Sequence, residues 1–190
     1  MKLIQTLASR RLLKDHTNFH PNFTSRKLYC GFDPTADSLH LGHLSTLNAL
    51  VYGAIVGIQP IALIGTATGM IGDPSGRSTS RPFLSSEQIT HNAHKLSTQI
   101  QDTYSKLYSR AASHLGLDSS PALEIVYNDS FYKNQSIISF LREVGSLMPI
   151  SPMLSKEMVK SRIDSLTYTE FSYQLLQAYD FYYLYSSHVT

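Results

Sequence analysis

Apolar positions along the chain fall into short continuous runs separated by longer stretches with helical spacing. Lys27–Phe32 reads as a short strand. PIALIG (Pro60–Gly65) and LEIVY (Leu123–Tyr127) are unbroken apolar runs, the pattern of strands covered on both faces of a parallel sheet. Helical spacing covers about Leu41 to Val56, and then a long stretch that ends near Leu115. Ser85 or Ser86 is the expected N-cap of that long helix and Gly116 its stop. Further helical patterns lie at Gln135–Leu147, Leu154–Ile163 and Thr169–Ser186, and the Gly/Ser/Thr-rich passage up to Ser80 reads as loop. Strands alternating with helices predict an α/β domain with a parallel sheet and flanking helices. Ligands of such sheets sit beyond the carboxyl ends of the strands, where Cys30–His43 and Gly65–Arg77 fall.

Composition narrows the class. The 190 residues suffice for one domain with a sizeable core, and 42% hydrophobic against 16% charged is globular rather than disordered. A formal charge of +2 permits nucleic-acid contact without arguing for it. The lone Cys30 excludes an internal disulfide and a cysteine-based zinc cage, and fits a reducing compartment. No apolar run approaches the ~20 residues that span a bilayer, so no membrane partner is expected. The first fourteen residues hold four cations and no acid, with Leu3, Ile4 and Leu7 at helical spacing. They read either as a mitochondrial presequence or as an ordinary first helix.

The sharpest local feature is CGFDPTADSLHLGHL, Cys30 to Leu44. A helix starting near His40 places His40 and His43 on one face. Its first turn presents N–H groups and positive dipole, a setting that favours phosphate. Two imidazole donors there can stabilise charge growing on a phosphate. Gly42, without a Cβ, lets a flat ring such as adenine approach, and Ser38 or Asp37 is the expected cap. The same spacing also describes a plain helix start, or half a metal site.

Three blocks carry a family resemblance: YCGFDPTADSLHLGHL, IALIGTATGMIGDPSGR and YTEFSYQLLQAYDF. His-Leu-Gly-His after a strand is similar to the His-Ile-Gly-His signature of class I aminoacyl-tRNA synthetases. The three blocks together resemble tyrosyl-tRNA synthetases, from about Leu3 to Leu184. AYDFYYLY and the LASRRLLKD start look more like the mitochondrial branch. The resemblance implies a Rossmann-like class I catalytic domain, with residues 1–190 as its N-terminal part. The later half of that domain, with its Lys-Met-Ser-Lys-Ser-like loop, and the tRNA-binding domain are not in this sequence. It also implies ATP-dependent activation of L-tyrosine and transfer to tRNA(Tyr), in the mitochondrial matrix or alternatively the cytoplasm. Magnesium arrives with ATP, and no tightly bound cofactor or metal site is expected.

Site residues follow from the same resemblance. His40 and His43 are the expected catalytic pair, and Asp33, Thr35 and Gly42 join them in holding ATP. Asp73, a fixed charge in a glycine-rich turn, would hold the α-amino group of tyrosine. Tyr173, Gln177 and Asp180 stand at i, i+4 and i+7, within roughly 60° of each other on one helix. As a pocket wall, Tyr173 and Gln177 take the ammonium, while Asp180 accepts the phenol proton, shared with Tyr29 at a strand end. Phenylalanine would leave Asp180 and Tyr29 desolvated and unpaired, at a cost of several kcal/mol. The same stripe also describes the wet face of an amphipathic helix.

Thr66 stands where many relatives have a second glycine. Asn128, after the third strand, is a further substrate contact by resemblance. His91 and His94 repeat His-x-x-H without a third ligand. Lys156, Lys160 and Arg162 read as a solvated face. Family dimerisation maps to about Phe131–Arg162, so Ile137, Phe140 and Leu141 are expected at the interface of a homodimer. Alternative readings are a small His-x-Gly-His nucleotidyltransferase, a non-catalytic tyrosine-binding or dimerising fragment, and an RNA-binding module. The last is disfavoured by the low charge.

Overall fold

The structure is a computed structural model that describes residues 2–13, 27–73, 83–117 and 121–187. The Asp73–Gly76 turn beyond Asp73, and the loop continuing through Arg77 to Ser80, therefore lie outside the described residues. Three strands, β1 (Lys27–Phe32), β2 (Gln59–Ile64) and β3 (Glu124–Tyr127), lie side by side in that order. The sheet is parallel, and helices make the crossover connections that parallel neighbours require. In chain order the helices are α1 (Lys2–Ser9), α2 (Leu41–Ile55), α3 (Thr66–Ile71), α4 (Ser86–Leu115) and α5 (Asp129–Tyr132). They continue with α6 (Ile137–Glu143), α7 (Ile150–Ser155), α8 (Glu157–Lys160) and α9 (Tyr168–Ser187). The chain divides into two compact units, and each change of unit along these strands falls at a strand's end. The first unit takes the stretch up to Phe32, Ser38–Leu63 and His94–Val126; the second takes Asp33–Asp37, Ile64–Ala93 and everything from Tyr127 on.

The first unit has an apolar core of ordinary chemistry. Helix α2 buries Leu47, Leu50, Val51 and Ala54, at the i, i+3, i+4, i+7 spacing of one helical face. Strand β2 buries Ile61, Ala62 and Leu63 in succession, as a strand covered on both faces must. Leu96, Ile100, Tyr104, Tyr108 and Ala112 bring one stripe of α4 into the same core. Each such aliphatic side chain contributes about 1.5–3 kcal/mol relative to exposure. Helix α2 packs on β1 so closely that a Cβ at Gly53 would lie 2.7 Å from Leu28 Cδ2. The long helix ends at Gly116, which takes φ +64 so that the Leu117 N–H can reach the Ala112 carbonyl.

The second unit has a mixed core. Among the described residues, every buried polar side chain except Ser97 lies here: Thr66, Thr68, Asn128, Arg162, Glu170, Gln174 and Asp180. They are interleaved with Ile64, Ile89, Phe131, Met153, Val159, Leu175, Tyr179 and Leu184. Helix α3 packs on α5 and α9. At the start of α4, the Gln88 N–H donates to Ser85 Oγ and the Ser85 N–H to Gln88 Oε1, so Ser85 is the cap.

Four expectations change here. Thr66–Ile71 is helix rather than loop, because its threonine hydroxyls and the Ala67 N–H find buried partners. Gln135–Leu147 shortens to α6, capped by Ser136 Oγ, followed by a 3₁₀ turn at Gly145–Leu147. Leu154–Ile163 breaks at Lys156, whose ψ of 132° is extended. Met153 and Val159, six residues apart, cannot share the face of one straight helix, and each is buried from its own short helix. Lys156 and Lys160 are exposed as expected, but Arg162 is buried and bonded to Glu170 at 2.9 Å. Glu170 also closes a capping box with Thr167 at the start of α9.

Candidate active site

The histidine pair forms its own cap. His40 has extended backbone (φ −122, ψ 171) and is itself the N-cap of α2, so neither Ser38 nor Asp37 takes that role. The Gly42 N–H donates to His40 Nδ1 at 3.1 Å, and the His40 N–H donates to His43 Nδ1 at 3.2 Å. A ring that accepts at Nδ1 has Nε2 left to carry its proton. The rings stack with centroids 3.7 Å apart and planes 16° apart. Burial, and then the neighbouring charge of His40, hold His43 below the ordinary histidine range, so it is neutral at pH 7. The first turn of α2 is thus less open to an anion than its sequence suggests, because the Gly42 N–H is already engaged. A Cβ at Gly42 would lie 2.9 Å from the His40 ring, so what approaches this glycine is an imidazole. A cavity of about 600 Å³ opens beside His40, lined by Leu39, Leu41, Leu44, Gln99, Asp102, Thr103 and Lys106. Gln99 Oε1 accepts from the Leu39 N–H at its edge.

In the second unit the segments following all three strands meet in one hydrogen-bonded chain. Asp33, just after β1, accepts at Oδ1 from the Thr68 hydroxyl (2.8 Å) and at Oδ2 from the Tyr173 hydroxyl (2.9 Å). Thr68 Oγ accepts from Asn128 Nδ2 at 3.2 Å, and the other proton of that amide goes to Asp180 Oδ2 at 3.0 Å. Asp180 Oδ1 accepts from the Tyr132 hydroxyl at 2.9 Å. Asn128 has no exposed surface; its Oδ1 accepts from the Ala67 N–H (2.8 Å) and its own N–H donates to the Ile64 carbonyl (3.1 Å). Thr66, the departure noted above, donates to Asp129 Oδ1 at 2.8 Å and so joins the segments after β2 and β3. Gly65 has ordinary φ (−77) but no room for a Cβ, which would strike Asp33 Oδ1 and Thr68 Oγ.

The electrostatics are those of an acceptor site. Burial raises the Tyr173 phenol far above its usual pKa, and the charges of Asp33, Asp73 and Asp180 add to that rise. Three carboxylates therefore act on one hydroxyl, a field that favours a cation placed there. Burial raises Asp180 from an ordinary 3.8 to about 6, against the lowering donated by Asn128 and Tyr132; the charge of Asp33 raises it further.

The residues expected at the site are thus distributed. His40 and His43 are in contact, with Gly42 beneath the His40 ring. Asp33, Tyr173 and Asp180 belong to one network, and the charge of Asp73, half-buried after α3, is felt at Tyr173. Thr35 is half-buried and its N–H donates to the Asp33 carbonyl at 2.8 Å. Gln177 is exposed on α9, and Tyr29 is half-buried in β1 of the first unit. Thr68 and Tyr132 were not anticipated; the available signals were a threonine one turn into the glycine block and an aromatic one turn past Asn128. His91 and His94 are exposed. Among the described residues no three His, Cys, Asp or Glu side chains are grouped to hold a metal, and no helix is long and apolar enough to cross a membrane. Burial pushes the Cys30 thiol up to about 12, which removes it as a nucleophile near neutrality.

A parallel sheet whose first crossover helix is capped by His-x-Gly-His defines the catalytic domain fold of class I aminoacyl-tRNA synthetases. The family model for class I tRNA synthetases of the W and Y type matches residues 24–190, and the chain belongs to that family. Its relatives place it on the tyrosyl side. It is 40% identical over 190 residues to the tyrosine–tRNA ligase of Mycoplasma capricolum, covering 97% of this chain and 42% of that protein. It is 38% identical over 192 residues to the mitochondrial tyrosine–tRNA ligase of Schizosaccharomyces pombe, covering 97% and 43%. Among solved structures, it resembles a C-terminally truncated Aspergillus nidulans mitochondrial tyrosyl-tRNA synthetase, with a TM-score of 0.71 and 29% identity over 84% of this chain and 45% of that one. The chain spans about two fifths of the length of the curated relatives it matches.

Proposed function

We propose that this chain carries the amino-acid-activating site of a tyrosine–tRNA ligase. The tyrosine carboxylate attacks the α-phosphorus of ATP in line, forming tyrosyl-adenylate and releasing pyrophosphate, and the tyrosyl group then passes to tRNA(Tyr). The observation that carries this reading is the hydrogen-bonded network in which the Tyr173 hydroxyl meets Asp33 at 2.9 Å and Asn128 and Tyr132 hold the buried Asp180 carboxylate, an acidic setting that suits an ammonium and a phenol. Asp73, Tyr173 and the exposed Gln177 take the ammonium; Asp180 and Tyr29 take the phenol. Asp33 and Thr35 hold ATP groups, and Gly42 borders them. His40 and His43 direct Nε2–H donors at the phosphates, where charge grows during transfer. Binding of phosphate requires His40 to share or release the Gly42 N–H. Magnesium enters as part of the nucleotide substrate.

Two further assignments belong to this proposal. Helix α6 buries none of its residues, and Ile137 and Ile138 are 73% and 71% exposed, which supports a homodimer through this helix and its neighbours. The basic start of the chain and the mitochondrial relatives support a mitochondrial site of action. The deciding assay is tyrosine-dependent exchange of labelled pyrophosphate into ATP. Exchange supports activation by this chain. Tyrosine binding without exchange supports a binding role only, and the absence of both refutes the reading.

A further inference from the structure

Asp180 is the only phenol acceptor that the proposed function places in the second unit, and its orientation is not set by α9 alone. An aspartate on a helix can take more than one χ1 rotamer and a broad range of χ2 unless its oxygens are tied. Here both are tied, by groups from outside α9. Asn128 Nδ2 holds Oδ2 at 3.0 Å and the Tyr132 hydroxyl holds Oδ1 at 2.9 Å. Tyr132 is itself clamped: its ring lies 5.3 Å from that of Tyr179 and 6.2 Å from that of Phe140. Its hydroxyl also has a second acceptor, the Leu176 carbonyl, at 3.1 Å.

One phenolic proton with two acceptors has a definite consequence. While Asp180 is ionised, the charge-assisted bond to Oδ1 takes the proton, being roughly twice as strong as a neutral one. When Asp180 is protonated, its own O–H can donate to the Tyr132 oxygen, and the Tyr132 proton passes to the Leu176 carbonyl. Tyr132 thus satisfies the carboxyl in either state, but favours the ionised one. An ionised, fixed carboxylate has lone pairs left for an incoming O–H and none to offer a C–H.

We propose that Tyr132 is a positioning residue for amino-acid selection: with Asn128 it locks the Asp180 carboxylate as a pure acceptor, and so determines how strongly the site prefers a phenol over a phenyl ring. The proposal rests on the reading of Asp180 as the phenol acceptor. It adds a side chain that touches no substrate and acts through Asp180.

The test is Tyr132→Phe in the full chain, a substitution that removes one oxygen and keeps the ring between Tyr179 and Phe140. L-tyrosine and L-phenylalanine affinities are measured by calorimetric titration for both proteins. A second readout needs no ligand: the pH window over which ionisation of Asp180 lowers stability, read from urea midpoints between pH 4 and 8. The groups acting on Asp180 in this region are Asn128 from the segment after β3, Tyr132 from α5, Asp33 from the segment after β1, and Tyr173 on α9 itself. Loss of the Tyr132 donor leaves only Asn128 to favour the ionised form, so the titration moves to higher pH. The expected result is a tyrosine affinity about 10-fold weaker, an unchanged phenylalanine affinity, and an upward-moved titration. Tyrosine affinity equal to or tighter than wild type would mean that Tyr132 competes with the phenol or ignores it, and would overturn the proposal. Equal weakening for both amino acids would reduce Tyr132 to a structural role and overturn it too. If the wild-type chain binds neither amino acid, the proposed function itself fails, and the selection role with it. That outcome is distinguished by the wild-type titration alone.

Discussion

Asp180→Asn should stabilise the chain near neutral pH while disabling recognition of the phenol. The carboxyl is 4% exposed, and burial raises its pKa from 3.8 to about 6. Below about pH 4 it is protonated in both folded and unfolded chains and contributes nothing. Between about pH 4 and 6 the unfolded chain has released the proton while the folded chain retains it. The folded state then binds more protons, and stability falls as pH rises. Above about pH 6 the penalty is complete, at about 3 kcal/mol. An amide removes this term without leaving a gap. Its oxygen accepts from Asn128 Nδ2, its NH₂ donates to the Tyr132 oxygen, and Tyr132 passes its proton to the Leu176 carbonyl. The assay is urea unfolding of both proteins from pH 4 to pH 8, followed by circular dichroism. Taking the difference at each pH cancels every group that titrates alike in both. The variant's advantage should be near zero at pH 4, grow through pH 6, and level off at up to about 3 kcal/mol. A difference that stays flat across this range would refute the reasoning, because Asp180 would then titrate alike folded and unfolded.

His43→Ala should slow adenylate formation about 10²–10³-fold in single-turnover experiments with tyrosine affinity unchanged; equal loss of both would remove His43 from the phosphate role. Gly65→Ala keeps an accessible backbone conformation but drives a methyl into Asp33 and Thr68, so it should cost about 1–3 kcal/mol by thermal or urea unfolding, and an unchanged midpoint would contradict the packing. Glu170 is opposed by burial but held below the ordinary range by its bond to Arg162, by the Thr167 N–H, by the Arg162 charge and by the Thr167 hydroxyl. Glu170→Ala should therefore cost about 3–5 kcal/mol by leaving Arg162 buried and unpaired, and adding Arg162→Met should recover most of it; a neutral single variant would argue against a buried pair.

The elements with unbroken apolar runs or clean periodicity were legible from sequence. The three strands, α2, α4 and α9 fall within a few residues of their expected positions. Local pattern failed where tertiary bonds decide the backbone. Thr-Ala-Thr-Gly reads as loop by composition, yet the Thr66 hydroxyl and the Ala67 N–H donate to Asp129 and Asn128, some sixty positions away, and the Thr68 hydroxyl donates to Asp33. Arg162 has the spacing of a surface cation and becomes buried because Glu170 answers it from α9. At the candidate site, the residues offering obvious chemistry (the histidines, Asp33, Tyr173 and Asp180) were visible one by one. Of the side chains that join them, only Asn128 was expected, by resemblance and as a substrate contact. Thr68 and Tyr132 are ordinary polar or aromatic residues whose importance lies only in which oxygen or nitrogen they meet.

The two sets of residues have opposite electrostatic character, and the proposed reaction needs both. Backbone N–H groups engage Nδ1 of both rings and His43 is held below the ordinary histidine range, so in the proposed reaction the Nε2–H groups are left to donate to phosphate oxygens. The carboxylates of the second unit are suited to attract an ammonium and to accept a phenol proton, and they repel a further anion. Tyrosine can satisfy that set with its ammonium and its phenol, which leaves its own carboxylate as the one group the acidic residues do not hold. In the proposed reaction that carboxylate is the nucleophile. Burial, and after it the charge of Asp33, raise Asp180; under the proposed function the same penalties disfavour a binding mode that buries the reacting carboxylate among these acids.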